Sequence, residues 1–258
     1  MTSRPLLEVR AVTKRFGAVR ALDGVDLACR AGEVLALVGD NGAGKSTLVK
    51  IISGALAADG GTLTLDGVPI PAGPQAAAAL GVGVVYQDLA LCDNLDVVAN
   101  LFLGREPTRR GPAGPCRRLD EAAMEQTASA TFAHLGIELA DLRSPVATLS
   151  GGQRQAVALA RAAIGTARLV LLDEPTAALG VEGTRRVLDL VRRLRDDGRG
   201  VIVTSHSLPD VFAVSDRIAV LRLGQNAATF PTADVTPDDV VGAITGWRDR
   251  IPEPEGVR

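Results

Sequence analysis

Three short apolar runs punctuate the chain: Val34–Val38 stops at a glycine loop, Leu169–Leu172 stops at two acids, and Val201–Thr204 follows Gly198 and Gly200. Runs of this length predict strands buried on both faces, as in a parallel sheet covered by helices. Between them, Glu182–Arg195 places Val187, Leu188, Val191 and Leu194 at helical spacing with arginines on the other face, which predicts an amphipathic helix. The beginning reads differently. Leu6–Val12, Val19–Leu27 and Gly61–Val68 are short alternating segments broken by Gly and Asp, the pattern of a small antiparallel layer.

A third region, about 88–165, is predominantly helical in pattern. Asp120 is placed to cap a helix with Ala123, Met124, Thr127 and Leu135 on one face. Arg105–Arg118, rich in Gly, Pro and Arg, reads as an exposed loop with a solvated basic surface. Residues 1–248 form a single domain on this reading. Residues 249–258, ending Ile251-Pro-Glu-Pro-Glu-Gly-Val-Arg258, form a flexible tail. There is no internal repeat.

Composition narrows the function. The 258 residues are 47% apolar and 22% charged, enough for a sizeable core and too apolar for a disordered chain. Aromatics at 3% disfavour a stacking platform for single-stranded nucleic acid, and a formal charge of −2 gives no general attraction to DNA or anionic lipid. Mean hydropathy is +0.19, yet no apolar run approaches the roughly 18–20 residues of a membrane span. The start lacks the apolar stretch and cleavage site of a signal peptide. Three cysteines, Cys29, Cys92 and Cys116, are an odd number without metal-ligand spacing, which points to incidental thiols in a reducing, cytosolic compartment.

The segment Gly39-Asp40-Asn41-Gly42-Ala43-Gly44-Lys45-Ser46-Thr47 fits the P-loop pattern, after one predicted strand and before the apolar stretch Leu48–Ile52. Its glycines let backbone N–H groups surround phosphate oxygens at a helix N-terminus. Lys45 would reach the β- and γ-phosphates of a nucleotide, and the Ser46 hydroxyl would ligate Mg²⁺. Asp173 and Glu174 follow a buried strand, where alternation sends the two carboxylates apart, one for a metal shell and one for an attacking water. Ser150-Gly151-Gly152-Gln153 precedes a strongly helix-forming stretch, so Ser150 reads as an N-cap on a second anion-binding helix end.

The order of P-loop, Leu149-Ser150-Gly151-Gly152-Gln153 and Asp173-Glu174 resembles the ATP-binding cassette (ABC) ATPase family over about residues 6–245. That resemblance implies an α/β fold: a P-loop NTPase core with a mainly parallel sheet, an N-terminal antiparallel β-subdomain and an inserted helical subdomain. It implies that Phe16 stacks on adenine, that Gln87 senses Mg²⁺ and the attacking water, and that His206 contacts the γ-phosphate and water. It further implies Glu174 as general base, with Asp173 and Ser46 serving Mg²⁺. Ser150–Gln153 of one copy would close over the ATP held by Gly39–Thr47 of another, in a homodimer or a pair with a second cassette. His134 lies outside these motifs and reads as structural.

Tyr86–Leu91, Asn94–Arg105 and Asp173–Glu182 are similar to the branch that imports ribose, xylose and fructose. Gly180 stands where the family usually has an aspartate, so one carboxylate expected at the dimer interface is absent, a departure familiar in this branch. The implied partners are membrane permease subunits and an extracytoplasmic solute-binding protein, with no nucleic acid, at the cytoplasmic side of the inner membrane. The competing readings are a soluble cassette working on nucleic acid or ribosomes, an importer subunit for a non-sugar polar solute, and a regulatory subunit that hydrolyses poorly.

Overall fold

The computed structural model describes residues 4–110, 117–164 and 167–247. In chain order the first elements are β1 (Leu7–Phe16), β2 (Val19–Cys29), β3 (Val34–Val38), α1 (Lys45–Ile52), β4 (Gly60–Leu65), β5 (Val68–Pro69), α2 (Pro74–Leu80) and β6 (Val82–Val85). Then come α3 (Val97–Phe102), β7 (Thr108–Arg110), β8 (Arg117–Leu119), α4 (Glu121–Leu135) and α5 (Gly151–Ala163). The rest are β9 (Leu169–Asp173), α6 (Val181–Asp196), β10 (Gly200–Thr204), α7 (Leu208–Val214), β11 (Arg217–Arg222), β12 (Gln225–Pro231) and α8 (Pro237–Thr245).

The central sheet runs β12-β11-β3-β10-β9-β6. All its neighbours are parallel except the β11–β12 pair. Every residue of β3, β9 and β10 is buried, and the period of two divides them between two cores. Leu35, Leu37, Leu169, Leu171 and Ile202 face Leu7, Val9 and Leu22 of the antiparallel sheet β2-β1-β4-β5 and Leu48 and Ile52 of α1. Val34, Val170, Leu172, Val201 and Val203 face Leu159 of α5 and Val187 and Val191 of α6. Each such fully buried side chain contributes about 1.5–3 kcal/mol relative to exposure. This is why unbroken apolar runs, and not alternating ones, build the middle of the molecule.

The expected antiparallel layer and the predicted helix at Glu182–Arg195 are both present. Asp120 caps α4, accepting from the Ala123 amide. The buried face of that helix is Met124, Ala128, Phe132 and Leu135, while Thr127 is exposed. The i, i+4, i+8, i+11 stripe displaces the expected one because it keeps the larger Phe132 inside. The expected loop at Arg105–Arg118 is partly a strand pair: Thr108, Arg109 and Arg110 of β7 lie opposite Leu119, Arg118 and Arg117 of β8.

Arg105 also departs from the solvated reading, because its guanidinium donates to the carbonyls of Leu101 (3.0 Å) and Arg161. Cys29 is buried, and burial pushes its thiol pKa up. Cys92 is partly buried and free. Cys116 and the tail 249–258 lie outside the described residues. Among the described residues, no helix is long and apolar enough to cross a membrane.

Candidate active site

The C-terminal ends of β3, β10, β9 and β6 lie side by side, and each parallel strand delivers a different part of the predicted site. Such an edge is where open α/β sheets bind ligands. After β3, the chain turns through Gly39 (φ +152°), Gly42 (φ +80°) and Gly44 (φ +104°). A Cβ at Gly39 would overlap the Leu221 carbonyl, and one at Gly44 would sit 2.7 Å from the Ala21 carbonyl oxygen. Glycine is therefore required here by the fold itself.

Gly44 caps α1 without any side-chain bond, so the first helical amides point outward beside exposed Asp40, Asn41, Gly42 and Ser46. Ala43 is buried beneath them and Thr47 is half-buried. Lys45 is buried, and its Nζ donates to the carbonyls of Gly39 (2.7 Å) and Asp40 (3.0 Å). Burial lowers the Lys45 pKa, against the opposing pull of Glu174, Asp173 and Asp40. The amine is thus held inside the loop it serves, within the field of both acids.

Asp173, buried at the end of β9, accepts from Thr204 Oγ1 at 2.6 Å and from Ser46 Oγ at 3.4 Å. Glu174 leaves the strand with φ +52°, a region uncommon for a residue with a side chain. Its Oε1 lies 2.7 Å from His206 Nε2. The two acids have different partners, and both act electrostatically on Lys45. Beyond them, Thr176 Oγ1 donates to Asp210 at 2.8 Å, tying the segment after Glu174 to α7.

Ser150 and Gln153 form a reciprocal capping box on α5: the Gln153 amide donates to Ser150 Oγ (3.3 Å), and the Ser150 amide donates to Gln153 Oε1 (3.0 Å). Neither Gly151 nor Gly152 has a left-handed backbone. An added Cβ would meet Leu179 at 3.7 Å and Gly183 at 3.6 Å respectively, which is ordinary contact. The chain's own packing therefore does not demand these glycines. No hydrogen bond or ion pair joins Ser150–Gln153 to Gly39–Thr47 among the described residues, so the two predicted anion sites are separate within one chain.

Two expected residues stand apart from this cluster. Gln87 is exposed just past β6 and makes no hydrogen bond to Asp173, Glu174 or His206. Phe16 is 49% exposed at the tip of the β1–β2 hairpin, with Lys14 Nζ 5.7 Å from its ring centroid. The same hairpin brings Ala21 and Leu22 against Gly44, which fixes Phe16 to the P-loop's side of the molecule. His134 lies on α4, where its Nε2 pairs with Asp197 at 2.8 Å, as a structural residue would.

Sequence reasoning missed Thr204, Asn100 and Arg161. Thr204 closes an otherwise apolar strand, and that single polar residue was a signal. Asn100 is fully buried and binds the backbone of Cys92, Leu95 and Asp96. Arg161 donates to the carbonyls of Leu89 and Ala90, both at 2.6 Å. Burial, and then the neighbouring Arg105, hold its pKa below the ordinary arginine value.

The profile of the ABC transporter family matches residues 22–177. The chain is 45% identical over 252 residues to the fructose import ATP-binding protein FrcA of Rhizobium meliloti, covering 96% of this chain and 97% of that one. It is 46% identical over 221 residues to the xylose/arabinose import ATP-binding protein XylG of Sulfolobus acidocaldarius, covering 85% and 86%. A ribose import relative from Rubrobacter xylanophilus is matched over only 47% of its own length. The bacterial ABC transporter cassette MJ0796, solved as a dimer, superposes with a TM-score of 0.74 over 88% of this chain and 98% of that one, at 24% identity.

Proposed function

The chain belongs to the ABC transporter family of ATP-binding proteins, and on that premise we propose how its site powers the import of a sugar. It is the ATP-hydrolysing subunit of a sugar importer, as its relatives' names and its P-loop cassette indicate. Subunits of this kind are peripheral to the membrane and act on membrane permeases. This one works from the cytoplasmic side of the inner membrane, with an extracytoplasmic binding protein delivering the sugar. Fructose, or a pentose such as ribose, xylose or arabinose, is the class of solute the relatives favour.

The observation that carries the mechanism is the 2.7 Å contact between His206 and Glu174, set across the strand ends from the P-loop. The γ-phosphate would lie against the outward amides of Gly44–Thr47, with the Lys45 amine drawn from its loop carbonyls onto the β- and γ-oxygens. Ser46 Oγ and Asp173, 3.4 Å apart, are hard oxygen donors of the kind Mg²⁺ takes, with water and phosphate oxygens completing its shell. Bound there, Mg²⁺ would neutralise charge developing on the phosphates. Glu174 takes a proton from the attacking water as that water's oxygen bonds to phosphorus and the bond to the bridging oxygen breaks. His206 and Gln87 orient the water, and Phe16 stacks on the adenine.

The separate capping box at Ser150–Gln153 supports a head-to-tail pair of cassettes. Its glycines are not needed inside one chain, so the open face they leave suits the close approach of a partner's nucleotide. Two helix N-termini then enclose a triphosphate that either alone would leave exposed. Closure moves the permease, and hydrolysis resets it.

The test is ATP hydrolysis by the purified chain and by Glu174→Gln. The variant is expected to lose about 10²–10⁴ in kcat and to accumulate as ATP-bound dimers in light scattering. A Glu174→Gln protein that turns over like the wild type removes Glu174 from the role of base.

A further inference from the structure

β10 lies between the P-loop strand β3 and the acidic strand β9, and its last residue, Thr204, is register partner to Leu37 on one side and Asp173 on the other. The side chain is completely buried. Its Oγ1 donates to Asp173 Oδ1 at 2.6 Å, within the range of charge-assisted O–H···O⁻ bonds. The same oxygen accepts the Glu174 amide at 3.0 Å, and that amide also faces the Thr204 carbonyl at 3.2 Å. One hydroxyl therefore has both of its directions committed, as donor to one acid and as acceptor from the main chain of the next.

A valine would fill this place at similar volume and without desolvating a hydroxyl, as Val201 and Val203 do earlier on the strand. The hydroxyl repays its burial only through these two bonds. Both serve residues of the site. The first fixes the rotation of the Asp173 carboxylate, whose Oδ1 is also 3.4 Å from Ser46 Oγ. The second anchors the Glu174 backbone in its left-handed conformation (φ +52°), in which its Oε1 stands 2.7 Å from His206 Nε2.

We propose that Thr204 is a positioning residue for ATP hydrolysis, setting the orientation of Asp173 and the backbone of Glu174 without itself touching the substrate. The inference rests on the reading of Asp173 and Glu174 given above. It predicts a graded signature across Thr204→Val, which keeps the shape and loses the hydroxyl, and Thr204→Ser, which keeps the hydroxyl.

The experiment compares the full-length wild type with both variants and with Glu174→Gln. It measures kcat and KM for ATP, binding of a fluorescent ATP analogue with and without Mg²⁺, and thermal melting. Thr204→Val is expected to lower kcat about tenfold to a hundredfold, the size of losing a hydrogen bond to a charged group. Its KM should change little, and analogue binding in EDTA should stay within about twofold of wild type. The gain in analogue affinity on adding Mg²⁺ should shrink several-fold, and Thr204→Ser should recover kcat to within about threefold.

Equal loss of activity in the Val and Ser variants, tracking a common fall in melting temperature, would make Thr204 structural and overturn the proposal. So would a Thr204→Val kcat within twofold of wild type. Should Thr204→Val not fold, Thr204→Ala removes the same hydroxyl, and the same comparison with Thr204→Ser decides. A normal Thr204→Val beside an inactive Glu174→Gln overturns this inference alone, whereas a fully active Glu174→Gln overturns the reading beneath it.

Discussion

Replacing Asn100 with leucine tests how firmly the segment between Gln87 and α3 is held. The Asn100 side chain is fully buried. Its Oδ1 accepts the Cys92 amide at 2.7 Å, and its Nδ2 donates to the carbonyls of Cys92 (3.0 Å), Asp96 (3.0 Å) and Leu95 (3.2 Å). Leucine has nearly the same shape, so no large cavity opens, and the loss is that of the polar contacts. The Cys92 amide would lose its partner, at about 1–3 kcal/mol for a group left unpaired, whereas the carbonyls of Cys92, Leu95 and Asp96 keep the backbone amides of Leu95, Val146 and residue 100. Relaxation of the loop toward water recovers part of this, leaving about 1–2 kcal/mol. For a domain of this size, each kcal/mol lowers the melting temperature by about 2–4 °C, so Asn100→Leu should melt roughly 2–8 °C below wild type in calorimetry. Hydrogen exchange should accelerate selectively at Cys92 and its neighbours. A melting temperature within about 1 °C of wild type, with unchanged exchange at Cys92, would refute the argument that this one amide holds the loop.

The remaining predictions separate fold from function and add a pH dependence. Gly44→Ala should lower the melting temperature by several degrees as well as abolish nucleotide binding, because its Cβ would lie 2.7 Å from the Ala21 carbonyl at φ +104°. Gly151→Ala, whose Cβ finds ordinary contact at 3.7 Å, should melt within about 2 °C of wild type and yet lose more than tenfold in ATP-driven dimerisation; equal melting losses in the two variants would contradict the distinction. Asp59 accepts from Lys14 Nζ and the Arg15 amide, both at 2.7 Å, and these bonds hold its carboxyl below the ordinary value. Its native state therefore binds fewer protons than the unfolded chain, so its contribution is complete above the unfolded pKa of about 3.9 and is lost as pH falls through the native one. The melting difference between wild type and Asp59→Asn should accordingly shrink below about pH 4, and a difference constant from pH 3 to 7 would exclude this linkage.

The parts of the fold legible in the sequence were those whose physics is local or periodic. Val34–Val38 and Leu169–Leu172 announce doubly buried strands because both of their faces meet helices or a second sheet, and the chemistry sits in the residues just past them. Ser150 and Asp120 cap the helices they precede because a cap is decided within three residues. What stayed hidden depends on contacts between distant positions. Arg161 reaches carbonyls about seventy residues earlier, and Thr204 acts on an acid thirty-one residues before it. Nothing in the spacing of either residue reports its partner. The strand pair around Arg109 and Arg118 was masked by a composition of Gly, Pro and Arg that favours irregular backbone, and it sets two like charges opposite each other, an arrangement that pairing rules disfavour.

Helix α5 has the capping box at its first turn and Arg161 near its last. At 1.5 Å per residue, its thirteen residues make a rod of about 20 Å. Arg161 grips the carbonyls of Leu89 and Ala90, two and three positions beyond Gln87. A stiff rod has no private motion at one end. Whatever tilts Ser150 toward or away from a nucleotide must also pull on the segment that carries Gln87, so α5 works as a tie-bar between the two. On the roles proposed for Ser150 and Gln87, closure and water positioning would be linked through one helix and the grip of one guanidinium.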